Sequence, residues 1–534
     1  MKNGLSRRSL LQGMAATTVV MASGTLAGAT RVLAQTATDG VATIVIENEP
    51  SKMLCLTDLA STIVSPKVTE GLLEYDDDLR PQPLLATAWE VSEDGLTYTF
   101  TLREGVKWHD GADFSSADVK FSIEALKQHH SRGRQTFAQL ESIDTPDAHT
   151  VVLKLARPTP FLLTALASCE SPIVPAHVYG DADPVNHPNE TAPIGTGPFV
   201  FREWSRGSHV VWERNPNYWD PDFPKLERLV ARFIPDAQAR TVALESGDVQ
   251  LGYRTPVPVN ELRRLEQLAT LAFERRGYSY NPPNIHLLNF NTTHEILKDV
   301  RVRQAIAHCI DRDAIVKIVY QGAALPSASP VGPYHREFHN PAPSPYPFDL
   351  AKAEALLDEA GYPRQADGKR LAFTMEATGN EQRTLTDYVK AVLAQVGIDI
   401  TVRAQDLSTL AKRIFTDQDY AMQMGGSSNL FDPQVGVQRL FWSKNIVKGL
   451  PFSNGTFYSN PEVDALLEAA AIDTDRAKRV EQWMKVQEIV MREVPCIPIA
   501  SPDWVTISAA DFKDHTTSGE GFESSLRKSY FAAA

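Results

Sequence analysis

The chain has 534 residues, is 43% hydrophobic, and carries 53 Lys and Arg against 66 Asp and Glu, a net charge of −13. That length and apolar content suffice for two or three folded domains, and the acidic balance argues against a nucleic-acid partner, whose phosphates are neutralised by Lys and Arg. The four cysteines, at 55, 169, 309 and 496, form no CxxC pair, which argues against a zinc ribbon or a thioredoxin-like site. Three complete disulfide pairings stay open in an oxidising compartment, and buried small apolar thiols are expected for most of the four.

The N-terminus reads as an export leader. Ser6-Arg7-Arg8-Ser9-Leu10-Leu11 is a twin-arginine pattern, followed by the weakly apolar Gly13–Ala29 and by Val32-Leu33-Ala34, small residues at the positions a signal peptidase reads. Arg31 just before that site suits the same route, and an ordinary secretory signal is the alternative. No Cys follows the apolar stretch, so a soluble periplasmic product is expected rather than a lipid-anchored one. Loss of residues 1–34, which hold four basic residues and no acid, would carry the net charge from −13 to −17.

Ala42–Glu47 reads as an opening strand, and Val68–Tyr75 and Leu84–Trp89 lead into a hairpin. Thr97–Leu102 alternates so that Tyr98, Phe100 and Leu102 share one face of a half-buried strand. Asp94-Gly95 before it is a tight-turn dipeptide, because glycine takes positive φ without strain. Asp110-Gly111 marks the next bend, and Ser115 or Ser116 caps a helix whose Val119, Ile123 and Leu126 fall on one side. Val151–Leu155 is a further strand and Phe161–Ala167 a short apolar helix. Pro193–Phe199 contains Gly195-x-Gly197, but it lacks a third glycine and Pro198 removes an amide, so it reads as a turn rather than a phosphate loop.

Pro235–Asp248 is helical, Val249–Tyr253 and Leu287–Asn291 are strands, and Lys298–Tyr320 is an amphipathic helical pair. Pro326–Pro347 is an extended connection. Helices at Leu350–Ala360, Tyr388–Val396 and Asn460–Ala471 and a strand at Ile398–Arg403 follow. Val494–Ser501 is a late apolar strand expected to return to the first domain. No catalytic constellation stands out. His335 and His339 are four apart, but Arg336 occupies the position where a zinc protease needs Glu, and Pro333 and Pro341 bracket the segment. His129-His130 reads as a solvated helix end and His109 as a structural turn residue. There is no GxSxG elbow, and neither a metal nor a cofactor is expected.

The segment Trp89–Phe114, WEVSEDGLTYTFTLREGVKWHDGADF, together with RNPNYW at Arg214–Trp219 and LLNFN at Leu287–Asn291, resembles the family 5 extracytoplasmic solute-binding proteins, the dipeptide, oligopeptide and nickel receptors of ABC importers. The resemblance covers nearly all of the chain after the leader. It implies an α/β periplasmic binding protein fold of type II, with two α/β lobes joined by crossing hinge strands plus an extra domain. The implied boundaries are a leader at 1–34, a discontinuous lobe I at 35–79, 195–284 and 491–534, the extra domain at 80–194, and lobe II at 285–490. It also implies a monomer that captures a small organic solute by lobe closure and delivers it to an inner-membrane permease. A periplasmic metal-dependent hydrolase and a signalling receptor for a solute are the alternatives.

One departure from the family bears on the ligand. Peptide-binding relatives resemble G-W-x-x-D-x-x-D-P around the site, where the inner Asp meets the ligand's α-ammonium and the Trp lines the cleft. Here Gly426 stands at the Trp position and Asn429 at the Asp position, while Asp432-Pro433 is kept. An amide cannot neutralise a buried cation, so an uncharged or anionic solute is expected there, the alternative being that another carboxylate, Glu49 or Glu170, replaces the lost one. Asn429, Ser427, Ser428, Asp432 and Trp442 are the candidate contacts, with Arg439, on an expected Val435–Phe441 helix, as a carboxylate partner. Tyr253 and Arg254, at the end of a strand, and Glu49, at the end of the first, are further candidates. No histidine-arginine pattern of a nickel receptor is found.

Overall fold

The computed structural model describes residues 40–378, 382–450 and 453–533; the expected twin-arginine leader lies outside them. Three sheets organise the chain. The first has seven strands in the order Leu271–Glu274, Thr506–Ala509, Leu251–Gly252, Val41–Ile46, Arg228–Phe233, His209–Arg214 and Phe199–Ser205. The opening strand lies parallel to both of its neighbours, and the remaining pairs are antiparallel. The second sheet has six strands, ordered Ala324–Pro326, Cys496–Pro502, Ile285–Phe290, Met422–Ser427, Leu371–Thr378 and Ile398–Gln405. The third is an antiparallel four-stranded sheet with Thr97–Leu102 and Thr150–Leu155 at its centre.

The four-stranded unit follows from its pattern. Tyr98, Phe100 and Leu102 are buried while Thr101 faces out, as the period of two requires. Gly95 takes φ +68° in the turn before them. Ser115 is the N-cap of the helix Ser116–His129, and its backbone N–H donates to Asp118 at 2.9 Å. Val119, Ile123 and Leu126 pack against that sheet in one apolar cluster.

Gly195 and Gly197 are required for close approach: a Cβ would stand 1.9 Å and 2.5 Å from the carbonyl oxygen of Val68. His109 clamps the same corner, its Nε2 bonding Gly197 O at 2.9 Å and its Nδ1 accepting from Gly195 N at 3.3 Å. Burial lowers this imidazole to about 4, so it is neutral at physiological pH.

The chain passes between the first and second sheets twice, through 275–284 and through 503–505. The second passage corrects one expectation. The late apolar strand, Cys496–Pro502, does not return to the first sheet but pairs in the second, between Ile285–Phe290 and Ala324–Pro326. Both faces of that position are covered, which is why its side chains are apolar except Ser501, whose hydroxyl donates to Pro283 O at 3.3 Å; the return is made one strand later, by Thr506–Ala509.

Three local expectations also change. Phe161–Ala167 contains only a 3-10 turn, Leu162–Ala165. The expected Val435–Phe441 helix is broken into a turn at Pro433–Gly436 and a 3-10 turn at Gln438–Leu440, because Gly436 packs against the backbone at 428–429. His130 is not solvated: it is 0% exposed, and its Nδ1 accepts from Gly133 N at 2.9 Å. The four cysteines are all buried and free. Among the described residues no helix is long and apolar enough to cross a membrane.

Candidate functional site at the junction of the three sheets

The first sheet presents Arg254 two residues beyond the strand Leu251–Gly252. Arg254 and Thr255 take φ +52° and +55°, a left-handed conformation that costs non-glycine residues about 1–3 kcal/mol each. Both passages between the sheets hold this kink in place. Arg254 N donates to the Tyr278 hydroxyl at 2.9 Å, Thr255 N donates to Val505 O at 2.8 Å, and the Thr255 hydroxyl donates to Asp503 O at 2.9 Å.

The guanidinium of Arg254 then lies over Trp504 at 4.6 Å and donates to Glu523 at 2.8 Å. Glu523 also accepts from the Thr62 hydroxyl at 3.0 Å and from Asn281 at 3.3 Å. Beside it, Tyr253 stacks on Phe522 with ring centroids 4.2 Å apart and planes 4° from parallel.

The four-stranded unit contributes a second ion pair. Arg132 donates through Nε to Glu170 at 2.8 Å and pairs with it again through Nη2. Burial alone would lower the guanidinium's pKa, but Glu170 beside it raises it, with Tyr280 and Glu523 adding to the effect. The two pairs therefore stand within electrostatic reach of each other. On the Arg132 side of the junction further buried polar atoms lack a partner: the hydroxyls of Tyr280 and Thr136, His130 Nε2 and Gln434 Oε1. Buried polar atoms are ordinarily bonded, so these four leave hydrogen-bonding capacity unused beside the ion pair.

The second sheet closes the junction with the loop after Met422–Ser427. Phe431 stacks on Tyr280, centroids 4.9 Å apart, and enters the apolar cluster of the four-stranded unit with Val435. Gln135 donates to Gln434 O at 3.3 Å across the same contact. Phe431 also lines a 640 Å³ groove that opens outward between Asp78 and Arg80 on one side and Arg336 and Arg476 on the other.

The residues singled out in the sequence fall in different places. Tyr253 and Arg254 are in the junction and line a 290 Å³ cavity with Asn48 and Thr62. Asn429 uses both ends of its amide on the facing loop, accepting from Gly332 N and donating to Pro330 O at 3.2 Å. Asp432 caps the next turn by accepting from Gln434 N at 2.8 Å and pairs with the buried Arg479 at 3.0 Å. Ser427 is buried with an unpartnered hydroxyl, and Ser428 is half-buried beside it. Arg439 lines a separate 170 Å³ cavity with Gln423, Gly425 and Gly426, where burial lowers its pKa.

Glu49 and Trp442 lie elsewhere. Glu49 accepts from Trp204 Nε1 at 2.8 Å and Gly207 N at 2.9 Å on the first sheet, and Trp442 donates to Glu468 at 2.9 Å. His335 bonds Leu430 O and His339 bonds Val331 O at 2.7 Å. Among the described residues no group of His, Cys, Asp and Glu has the spacing of a metal site. Glu170, named in the sequence as a replacement carboxylate, lies in the junction, whereas sequence reading missed Arg132, Tyr280, Asn281 and Glu523. They come from three distant segments with no motif around them, and only the fold brings them together.

The family model for bacterial extracellular solute-binding proteins, family 5, matches residues 80–448. The chain belongs to that family. It is thus the binding protein of an ABC importer, and its fold is that of the type II periplasmic binding proteins. The glutathione-binding protein GsiB of Salmonella typhi is 29% identical over 457 residues, covering 83% of this chain and 85% of the relative. Among solved structures, NikZ from Campylobacter jejuni in complex with Ni(L-His) superposes with a TM-score of 0.76 at 26% identity, covering 91% of this chain and 98% of the other. The periplasmic binding protein DppA from Helicobacter pylori in complex with the peptide STSA gives 0.76 at 26%, covering 93% and 98%. Family 5 proteins work in the periplasm or outside the cell.

Proposed function

We propose that this protein is the periplasmic receptor for a peptide-like solute bearing both a cationic and an anionic group, held at the junction of the three sheets. The observation that carries this reading is the two ion pairs Arg254–Glu523 and Arg132–Glu170, each a buried carboxylate met by a half-buried guanidinium. Each pair is neutral as it stands, so a zwitterion exchanges partners with them and leaves no buried charge uncompensated, whereas a singly charged guest leaves one. The solute's ammonium meets Glu523 or Glu170 and its carboxylate meets Arg132 or Arg254. This takes over the task of the missing carboxylate at Asn429. The ligands of the relatives, glutathione, Ni(L-His) and a peptide, support the size class.

In this reading the closing lobes are residues 40–79, 195–284 and 503–533 on one side and 285–502 on the other, with 80–194 as the extra domain. Residues 275–284 and 503–505 are the hinge. Closure is driven by contacts that the solute makes only when both lobes reach it. The protein acts as a monomer, without catalysis, and hands its load to an inner-membrane permease. The sequence Ser6–Leu11 supports export by the twin-arginine route.

Isothermal titration calorimetry with glutathione and with a free-ended tripeptide, each against its N-acetylated, C-amidated form, tests the reading. The unblocked solutes are expected to bind and the doubly blocked ones to lose at least tenfold in affinity. Equal binding of blocked and unblocked forms, or binding of neither, would overturn it.

A further inference from the structure

Lys67 lies at the end of the 3-10 turn Ser65–Lys67 and is 0% exposed. A lysine so buried normally sits against a carboxylate, yet its ammonium donates to two main-chain carbonyls, Phe522 O at 2.9 Å and Ser524 O. Those carbonyls flank Glu523 on either side. The same ammonium stands 5.4 Å from the centroid of the Phe522 ring, the ring on which Tyr253 stacks. Lys67 therefore grips both neighbours of Glu523, and through Phe522 it reaches the residue next to Arg254. No other side chain bonds to that pair of carbonyls among the described hydrogen bonds.

We infer that Lys67 is a positioning residue for solute binding: by holding the carbonyls before and after Glu523, its ammonium fixes the direction in which that carboxylate points into the junction. The inference rests on the reading of Arg254–Glu523 as a solute contact. Lys67 does not touch the solute itself. Charge-assisted bonds to the two carbonyls are about twice as strong as neutral ones, so the grip depends on the ammonium being charged.

Two titratable groups face Lys67: Glu523 from the C-terminal segment, which favours the charged form, and Cys169 from the four-stranded unit. Burial pushes the Cys169 thiol well above its ordinary value, so it stays neutral and does not supply a counter-charge. Glu520, three residues before Glu523, is itself raised to about 7 by burial, and its titration is common to the wild type and the Lys67 variants. Burial outweighs Glu523 and lowers Lys67 from 10.5 to about 7. The grip is thus full below neutral pH and weakens above it.

Stability and affinity then move in opposite directions. The unfolded chain binds this proton up to about 10.5 and the folded one only to about 7, so between those values folding gains stability as pH rises. Solute affinity falls at the start of the same window. A lysine with only a structural role gives the first effect and not the second.

The experiment compares pH 6.0 with pH 8.0 in the wild type, Lys67→Arg and Lys67→Met. Opening of residues 518–526 to water returns Lys67 to its unfolded pKa, so hydrogen exchange there in the solute-free wild type, corrected for the intrinsic pH dependence and read relative to Lys67→Arg, is expected to slow by as much as about tenfold from pH 6.0 to pH 8.0. Lys67→Arg, charged at both values, and Lys67→Met, charged at neither, are expected to lack that change. The glutathione Kd is expected to weaken over the same interval in the wild type alone. Should Lys67→Arg fail to fold, the wild-type profile against Lys67→Met still decides. Exchange and Kd that are equal at the two pH values in the wild type overturn the inference. Glutathione that fails to bind at either pH counts against the proposed solute and leaves the exchange result to judge Lys67.

Discussion

Arg132 and Glu170 allow a stabilising role of one ion pair to be separated from the recognition role proposed for it. Removing Arg132 leaves Glu170 buried without its cation, which costs about 3–5 kcal/mol when one partner of a buried pair is lost. Replacing both by apolar residues removes that penalty. Arg132→Met is therefore expected to lower the melting temperature strongly, and Arg132→Met with Glu170→Leu to recover most of it. The double variant is still expected to bind glutathione or a free-ended tripeptide at least tenfold more weakly than the wild type. Thermal melts and calorimetry on the four corners of that cycle check both halves. Full recovery of affinity with stability would mean that the pair only braces the fold. Glu523 is placed differently: Arg254, Thr62 and Asn281 all donate to it, so its role depends on orientation more than on burial alone.

The element that brings Phe431 to Tyr280 is the loop after the strand Met422–Ser427, and its anchor is Asp432. That carboxylate pairs with Arg479, on the 18-residue helix Arg476–Glu493, at 3.0 and 3.1 Å. Asp432→Asn leaves a buried guanidinium without its charge partner, and a loss of about 3–5 kcal/mol in chemical denaturation is expected. A loss below 1 kcal/mol would show that water or another group neutralises Arg479. The Asp432-Pro433 dipeptide was visible in the sequence; its partner, 47 residues on, was not.

The same contrast holds for the other elements. The hairpin around Thr97–Leu102, its capped helix and the Gly195-x-Gly197 corner were legible because turn chemistry and periodicity are local. So was the paired helix Val300–His308 and Arg312–Ile318. The placement of Cys496–Pro502 was not, because a strand buried on both faces carries no alternation to say which sheet it joins. His130 was misread for a similar reason: nothing near it in sequence announces that Glu170 and Arg132 will close over it. The ligand junction itself draws on residues near 62, 132, 170, 254, 281 and 523, and no window of sequence contains more than one of its charges.

At the level of the whole molecule, the two passages between the sheets do more than connect. Tyr278 and Asn281 lie on one, and Asp503 and Trp504 on the other, and together they hold or contact Arg254, Thr255 and Glu523. Bending between the sheets and the geometry of the candidate site are therefore coupled through the same few residues, which is what a receptor that reports occupancy by its shape requires. The four thiols give the molecule a further property. Cys55, Cys169, Cys309 and Cys496 are all free of disulfides and buried, and burial raises Cys55, Cys309 and Cys496 to about 12 and Cys169 well above its ordinary value, so none offers a thiolate to an oxidant at neutral pH. The melting temperature is expected to be the same with and without dithiothreitol, and a drop under reductant would reveal a cross-link. The native state thus needs no help from disulfide-forming enzymes, and the chain can complete its fold equally well in a reducing cytoplasm or an oxidising envelope.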